Sequence, residues 1–413
     1  MDIPPPSESA DIERPPGPPT FIERGSPGYA KVGVALFLAG FSTFSLLYSV
    51  QPLLPEFSRS FAVSPGTSSL ALSLTTGFLA FAILLAGALS QGLPRRGLMF
   101  GSMAVGAILN ILAGLAPDWH LLLVARALEG LVLGGVPAVA MAYLAEEIDP
   151  RHLGKAMGLY VAGTAFGGMI GRVGMGVLTE FASWRAAMAI LGVADLLSAI
   201  GFALLLPPSR NFVAQRGIPF RHHLRTWSGL LASPSLLRLF LVAFVAMSVF
   251  VTLFNYASFR LSEPPYGLGQ TAISMIFLAY GFGIFASSTA GGLADRFGRR
   301  IPLVSGFCLM ALGVGATLFA PLPVVILGIA LVTVGFFTAH SVASGWVGRL
   351  SGSSKGHAAS LYLLFYYLGS SFVGSAGGLF WEYGGWTAVA ALTGMLSLCG
   401  AMLAFSVRDA PAR

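Results

Sequence analysis

Along this chain, apolar stretches of about twenty residues follow one another, separated by short polar turns. They lie near 31–54, 67–92, 97–116, 120–144, 156–180 and 185–206, and again near 235–260, 270–293, 301–320, 323–347, 356–381 and 386–407. A helix of about 20 apolar residues crosses the roughly 30 Å hydrocarbon core of a bilayer. Lipid offers no partner to free backbone groups, so each stretch is expected to span as a helix. The expected fold is all-α and membrane-integral, with twelve spans.

The polar breaks divide the chain further. Residues 1–30, with PPPSES and ERPPGPP, lack the apolar core of a signal peptide and are expected to be a disordered cytoplasmic tail. A first six-helix bundle is expected over 31–206, a basic cytoplasmic linker over 207–234, a second bundle over 235–407 and a short tail over 408–413.

Composition reinforces this picture: 55% apolar and 10% charged residues cannot coat a soluble core. The net charge of +7 does not point to nucleic acid, because the positive residues sit in the short turns. With the N-terminus cytoplasmic, 19 of 24 Lys and Arg fall in cytoplasmic segments, and only Arg59, Arg185 and Arg260 fall on the other side. This bias predicts that both termini are cytoplasmic, as in a bacterial inner-membrane protein. Trp119, Trp184 and Trp386 take the positions of outer-interface anchors. Cys308 and Cys399 lie within apolar stretches and are expected to be packing residues.

The chain also repeats itself. A shift of about 204 residues aligns Thr67 with Thr271, Gly77 with Gly281, Gly87 with Gly291 and Arg95-Arg96 with Arg299-Arg300. A shift of 202 aligns RHLGKAMGLY (151–160) with SSKGHAASLY (353–362), and Trp184 with Trp386. An even six-span offset predicts two parallel bundles related by an axis along the membrane normal, with a pathway between them.

The turn after the eighth stretch reads GGLADRFGRR (291–300). Gly291, Gly292 and Ala294 are small enough to permit close helix approach, and charge bias alone does not require Asp295 or Gly298. Asp295 at the helix end can pair with Arg296, Arg299 or Arg300 and latch that end of the molecule. This turn resembles the signature loop of the major facilitator superfamily, and the resemblance extends over residues 31–407. In the equivalent turn GALSQGLPRR (87–96), Gln91 stands where the family has an acid, ahead of Arg95 and Arg96. The latch on that side is therefore expected to be weaker or carried by other contacts.

The fourth stretch, LLVARALEGLVLGG, is similar to the family's Arg-x-x-Gln-Gly pattern, with Glu129 in place of a neutral residue and Arg126 three positions before it. The fifth, GGMIGRVGMG, is similar to the antiporter motif, with Arg172 where that motif has proline. Charged groups inside a membrane normally face the bundle interior or a wet cavity. At roughly 1.5 Å per residue, Glu129 and Arg172 lie at similar depth and are expected to pair, either as a proton-coupling switch or as a static ion pair. Asp195 is the other intramembrane acid, and a structural role is favoured for it.

By the resemblance, spans 1, 4, 7 and 10 line the solute pathway. Candidates there are Phe44, Tyr48, Gln51, Phe250, Phe254, Asn255, Tyr256, Phe336, Phe337 and His340, with Tyr362 and Tyr366 on the eleventh span. Aromatic walls with sparse amides and phenols suit an amphiphilic organic solute. His340 is weighed as a proton carrier against a structural hydrogen-bonding role.

GxxxxGK[ST], HExxH and cysteine pairs at metal-ligand spacing are all missing, so no cofactor, metal or ATP chemistry is expected, and the chain is not expected to be an enzyme. The resemblance implies a monomeric secondary transporter of small organic solutes, driven by protons and closest to drug and sugar efflux. Uptake by proton symport and, from another class, a non-transporting membrane receptor are the alternatives.

Overall fold

The computed structural model describes residues 21–89, 93–212 and 219–408, with the side chains of 87–89 left aside. Among these residues there is no β-strand. The first half contains α1 (Pro27–Tyr48), α2 (Leu54–Phe61), α3 (Pro65–Ser68), α4 (Leu70–Leu89), α5 (Arg95–Leu115), α6 (Trp119–Leu133), α7 (Gly135–Glu147), α8 (Leu153–Phe181) and α9 (Trp184–Leu205). A short helix, α10 (Phe220–Leu231), connects it to α11 (Pro234–Ser262), α12 (Gln270–Ser274), α13 (Tyr280–Phe297), α14 (Arg300–Ala316), α15 (Leu322–Leu350) and α16 (Lys355–Ser406).

Ten of the described helical segments are long and apolar enough to cross a membrane, and Arg300–Ala316 is a shorter apolar one. Their outward faces carry Leu197, Leu204, Phe282, Phe285, Phe372, Met402 and Phe405 exposed, which is a surface suited to lipid rather than water. Cys308 and Cys399 lie on this exposed apolar surface, so neither is the packing residue expected.

Glycine and proline set where the helices bend. Between α6 and α7, Pro137 withholds the N–H that would bond Leu133 one turn earlier, and the helix breaks there. Gly385, at φ 56° and ψ −150°, divides α16 into two rods. On α8, Gly163 and Gly167 face α1 so closely that a Cβ would lie 2.3 Å from the Phe37 carbonyl oxygen and 2.1 Å from that of Phe41. These glycines therefore serve helix contact.

Residues 21–30, expected within the disordered tail, are instead tied down. Ile22 N–H donates to the Glu147 carbonyl at 2.8 Å, and Ser26 caps α1 through the Tyr29 N–H at 3.2 Å. Residues 1–20 and 409–413 lie outside the described residues.

The basic linker also holds structure that its composition hid. In α10 one face buries His223, Trp227 and Leu230, and His223 Nδ1 meets His357 Nε2 of α16 at 2.9 Å. Burial, with His222 beside it, holds the His223 imidazole below its usual 6.5. The docked helix thus prefers neutral His223. Docking is fully favourable above about pH 6.5 and weakens as pH falls below it. Trp227 lies 6.0 Å from the His223 ring and 5.9 Å from His357. Its emission should change on acidification below pH 6.5, together with faster proteolysis of the linker. In His223→Leu the acid-dependent change should be much reduced; an undiminished change would place the titration elsewhere.

Candidate functional site

The two halves touch at one end of the molecule. Every hydrogen bond between them among the described residues lies toward the Trp184 end or at mid-depth. Ser371 donates to the Ser73 carbonyl at 2.6 Å, Ser370 to Thr76 at 3.4 Å, Thr271 to the Glu180 carboxylate at 3.1 Å, and Gln270 to the Pro52 carbonyl. Small residues allow this closure: a Cβ on Gly66 would lie 3.1 Å from Gly378 Cα, and one on Gly77 2.8 Å from Ser371 Oγ. A polar recess of about 550 Å³, lined by Glu56, Arg59, Glu180 and Gln270, lies above this seal.

At the opposite, arginine-rich end the halves make no hydrogen bond to each other among the described residues. Asp295 is exposed there, and no hydrogen bond or ion pair engages it. Arg296 rests on the Phe297 ring, and Arg300 donates to the Val407 carbonyl at 2.9 Å within its own half. Gly298 takes φ 77°, the left-handed conformation that favours glycine. In the equivalent turn, Gln91 lies outside the described residues. Arg95 pairs with Glu146 at 2.8 Å and Arg96 donates to the Ala203 carbonyl, so these arginines are held by contacts within the first half.

Between the two ends, α1 and the turn after it, α8, α11, and α13 with the turn before it bring an arginine, two amides and several rings together. Arg172 is fully buried. Its Nε donates to Gln51 Oε1 at 2.6 Å and its Nη1 to the Gly168 carbonyl at 2.6 Å. Gln51 Nε2 in turn donates to Asn255 Oδ1 at 2.8 Å, joining the halves. Gln51 and Asn255 are 204 residues apart, the offset of the internal repeat, so symmetry-related amides meet where the two halves face each other. The guanidinium lies over Tyr48 at 4.0 Å, Tyr280 at 4.8 Å and Phe277 at 5.1 Å. Its Nη2 has no partner.

The expected Glu129–Arg172 pair is not formed. Arg126, one helical turn before Glu129, reaches it first: Nη1 to Oε2 is 2.6 Å, with both side chains fully buried. Arg126 also donates to the carbonyls of Ala71, Leu46 and Leu47, at 3.1, 3.3 and 3.0 Å, which fixes it against α1 and α4. The second Glu129 oxygen, Oε1, is buried without a partner. Asp195 is buried beside Ser42 and Ser45 of α1, with its own Oδ2 unpartnered.

The aromatic wall is assembled by the second half. Phe250 stacks on Phe336 at 4.0 Å and Phe254 on Phe277 at 5.1 Å, while Phe337 meets Tyr280 at 5.6 Å. His340 Nδ1 lies 2.9 Å from the Tyr362 hydroxyl, and its ring is 4.9 Å from Tyr366. Phe44 packs on Tyr48 at 6.1 Å. Tyr256 does not join them. It donates to the Gly374 carbonyl at 3.0 Å and stacks on Trp381, which makes it a packing residue between α11 and α16.

Phe277 and Tyr280 were missed in the sequence. They sit on the eighth span, outside the spans the resemblance assigned to the pathway, and no signal in the sequence points to them, because Arg172 is expected there to pair with Glu129. Burying an unpaired guanidinium costs several kcal/mol. Cation–π contacts offset about 0.5–2 kcal/mol each, and hydrogen bonds to a charged group about 1.5–3 kcal/mol each.

The family model described as Major Facilitator Superfamily matches residues 36–286 and 262–413. A relative in Bacillus subtilis, named Uncharacterized MFS-type transporter YybF, is 44% identical over 376 residues, covering 90% of this chain and 91% of its own. The Inner membrane transport protein YnfM of Escherichia coli is 41% identical over 397 residues, covering 95% and 94%. A bacterial homolog of the human lysosomal transporter Spinster, solved inward-facing and occupied, aligns with a TM-score of 0.77 at 15% identity. That alignment covers 94% of this chain and 100% of the other, a likeness of fold alone.

Proposed function

This chain belongs to the major facilitator superfamily and is a membrane transporter of small solutes, and on that premise we propose that it exports amphiphilic organic solutes in exchange for protons. It would work as a monomer of twelve spans in a bacterial inner membrane, with both termini and the arginine-rich end in the cytoplasm.

The observation that carries the reading is one-sided closure. The halves are sealed by hydrogen bonds toward the Trp184 end, while Asp295 at the arginine-rich end engages nothing. A transporter that rocks two bundles about a central site is expected to close one end at a time, and this arrangement would admit solute from the cytoplasm. Protons would enter through Glu129. Its unpartnered Oε1 is the atom a proton would satisfy, and protonation would release Arg126 from its only carboxylate. Membrane-buried acids of this kind carry function by default, whereas a purely structural pair would be expected to satisfy both oxygens.

The test of one-sided closure is the population of each state. Asp295 is expected to latch the arginine-rich end when that end closes. Asp295→Asn should then favour the state described here by up to about fivefold, the range of an ion pair worth about 1 kcal/mol. Distances between labelled cysteines across the two ends report the shift. Unchanged populations would remove Asp295 from the gate.

A further inference from the structure

We propose that the solute carries an oxyanion, a carboxylate or a phosphate, that seats on Arg172 between the two halves, with its apolar body lying along the aromatic wall. The inference rests on the transporter reading and names the chemical class of what is carried.

Arg172 is the point of departure, because its charge is answered by no acid. The four ion pairs among the described residues join Arg59 with Glu56, Arg95 with Glu146, Arg126 with Glu129 and Arg151 with Asp149. None includes Arg172. Glu129 is engaged elsewhere, and what lies against the Arg172 guanidinium is the rings of Tyr48, Tyr280 and Phe277. A fully buried guanidinium with a free Nη2 is a donor waiting for an acceptor. A purely structural arginine would be expected to use all its donors on fixed carbonyls, as Arg126 nearly does with three carbonyls and a carboxylate.

The surroundings supply the rest of an anion seat. The rings of Tyr48 and Tyr280 lie against the Arg172 guanidinium, and their hydroxyls make no hydrogen bond among the described residues. Phenol hydroxyls donate to oxyanions, and Arg binds them in fork geometry. Gln51 cannot neutralise the charge, but by accepting from Nε it fixes the plane of the guanidinium. Because Gln51 is also bonded to Asn255 of the other half, an anion on Arg172 would touch the element that couples the halves. The repeat explains why only one seat exists. The shift of 202 residues places Gly374 opposite Arg172, and a Cβ there would lie 3.5 Å from Asn255 Nδ2, so the second half holds a glycine where the first holds the charge. The rings of Tyr366, His340, Phe336 and Phe250 form a continuous wall that reaches Tyr280 beside the charge.

The test is ligand-induced stabilisation and calorimetric titration of the purified full chain in detergent, with 4-hydroxybenzoate, phenyl phosphate, benzamide and benzylamine as probes. At least one of the two anions should bind at least tenfold more tightly than the amide and the amine. Binding of 4-hydroxybenzoate alone assigns a carboxylate, and of phenyl phosphate alone a phosphate. In folded Arg172→Gln the preference should vanish, and Arg172→Lys should keep part of it. Equal or tighter binding of benzamide or benzylamine, no binding of either anion at millimolar concentration, or an anion preference surviving Arg172→Gln would each overturn the proposal. The wild-type comparison decides alone if the variants do not fold. No gradient is present, so proton coupling and export can fail with this result intact, and the reverse.

Discussion

Vesicles carrying Glu129→Gln are expected to build no solute gradient from a pH gradient, while still exchanging labelled for unlabelled solute at a rate near wild type. One pH unit is worth about 1.4 kcal/mol per proton, so one-for-one exchange drives the wild-type protein to roughly a tenfold solute gradient. Glutamine keeps the shape of Glu129 and can accept from Arg126 Nη1, now at 2.6 Å from the carboxylate, but it cannot titrate. It also leaves Arg126 without a carboxylate, which costs stability, so the folded fraction should be measured alongside. A Glu129→Gln protein that still concentrates solute against its gradient would remove Glu129 from coupling.

The second large effect concerns the seal. A Cβ on Gly66 would lie 3.1 Å from Gly378 Cα and 3.4 Å from Glu382 Oε1, both across the interface. Gly66→Val should therefore act on closure and hardly on folding. Overpacking of this kind costs about 1–3 kcal/mol, which shifts the populations of the two states by about 5- to 150-fold. The protein should open at the Trp184 end and transport should fall in proportion, as read by spin-label distances across that end. Gly167→Ala is the contrast, since its Cβ would meet the Phe41 carbonyl at 2.1 Å within one half, in every state. That change should lower the melting temperature and the yield instead. If Gly66→Val lowers stability as much as Gly167→Ala does, the seal is part of a static core.

How much of this was legible beforehand depends on the range of the interaction. Apolar helices were readable because lipid imposes a length and a composition on each, and most described helix ends lie within a few residues of the apolar boundaries. Pro137 marks a bend inside the fourth stretch that a window of hydropathy averages away, whereas Gly385 falls in the break expected between 356–381 and 386–407. The helix α10 was hidden because its buried face, His223, Trp227 and Leu230, is too short and polar to register as a span. Within the site, residue types were visible while partners were not. Depth alone favoured Glu129 with Arg172; the structure gives Glu129 to Arg126 because a neighbour one turn away on the same helix competes without crossing between helices. Gln51 and Asn255 both appeared as candidates, but only the tertiary arrangement shows symmetry-related amides bonded to each other. Tyr280 lay in a span outside the expected wall, and nothing local distinguishes it from a lipid-facing tyrosine.

The most direct test of proton-coupled export is made in liposomes of the purified chain, oriented and shown to be folded, with an imposed pH gradient and a panel of amphiphilic solutes that includes anions. Solute and proton fluxes are recorded together. The account predicts solute leaving the side of the arginine-rich end as protons enter from the other, with both fluxes lost in Glu129→Gln. Solute movement with no accompanying proton flux, or with protons travelling in the same direction as the solute, would contradict it.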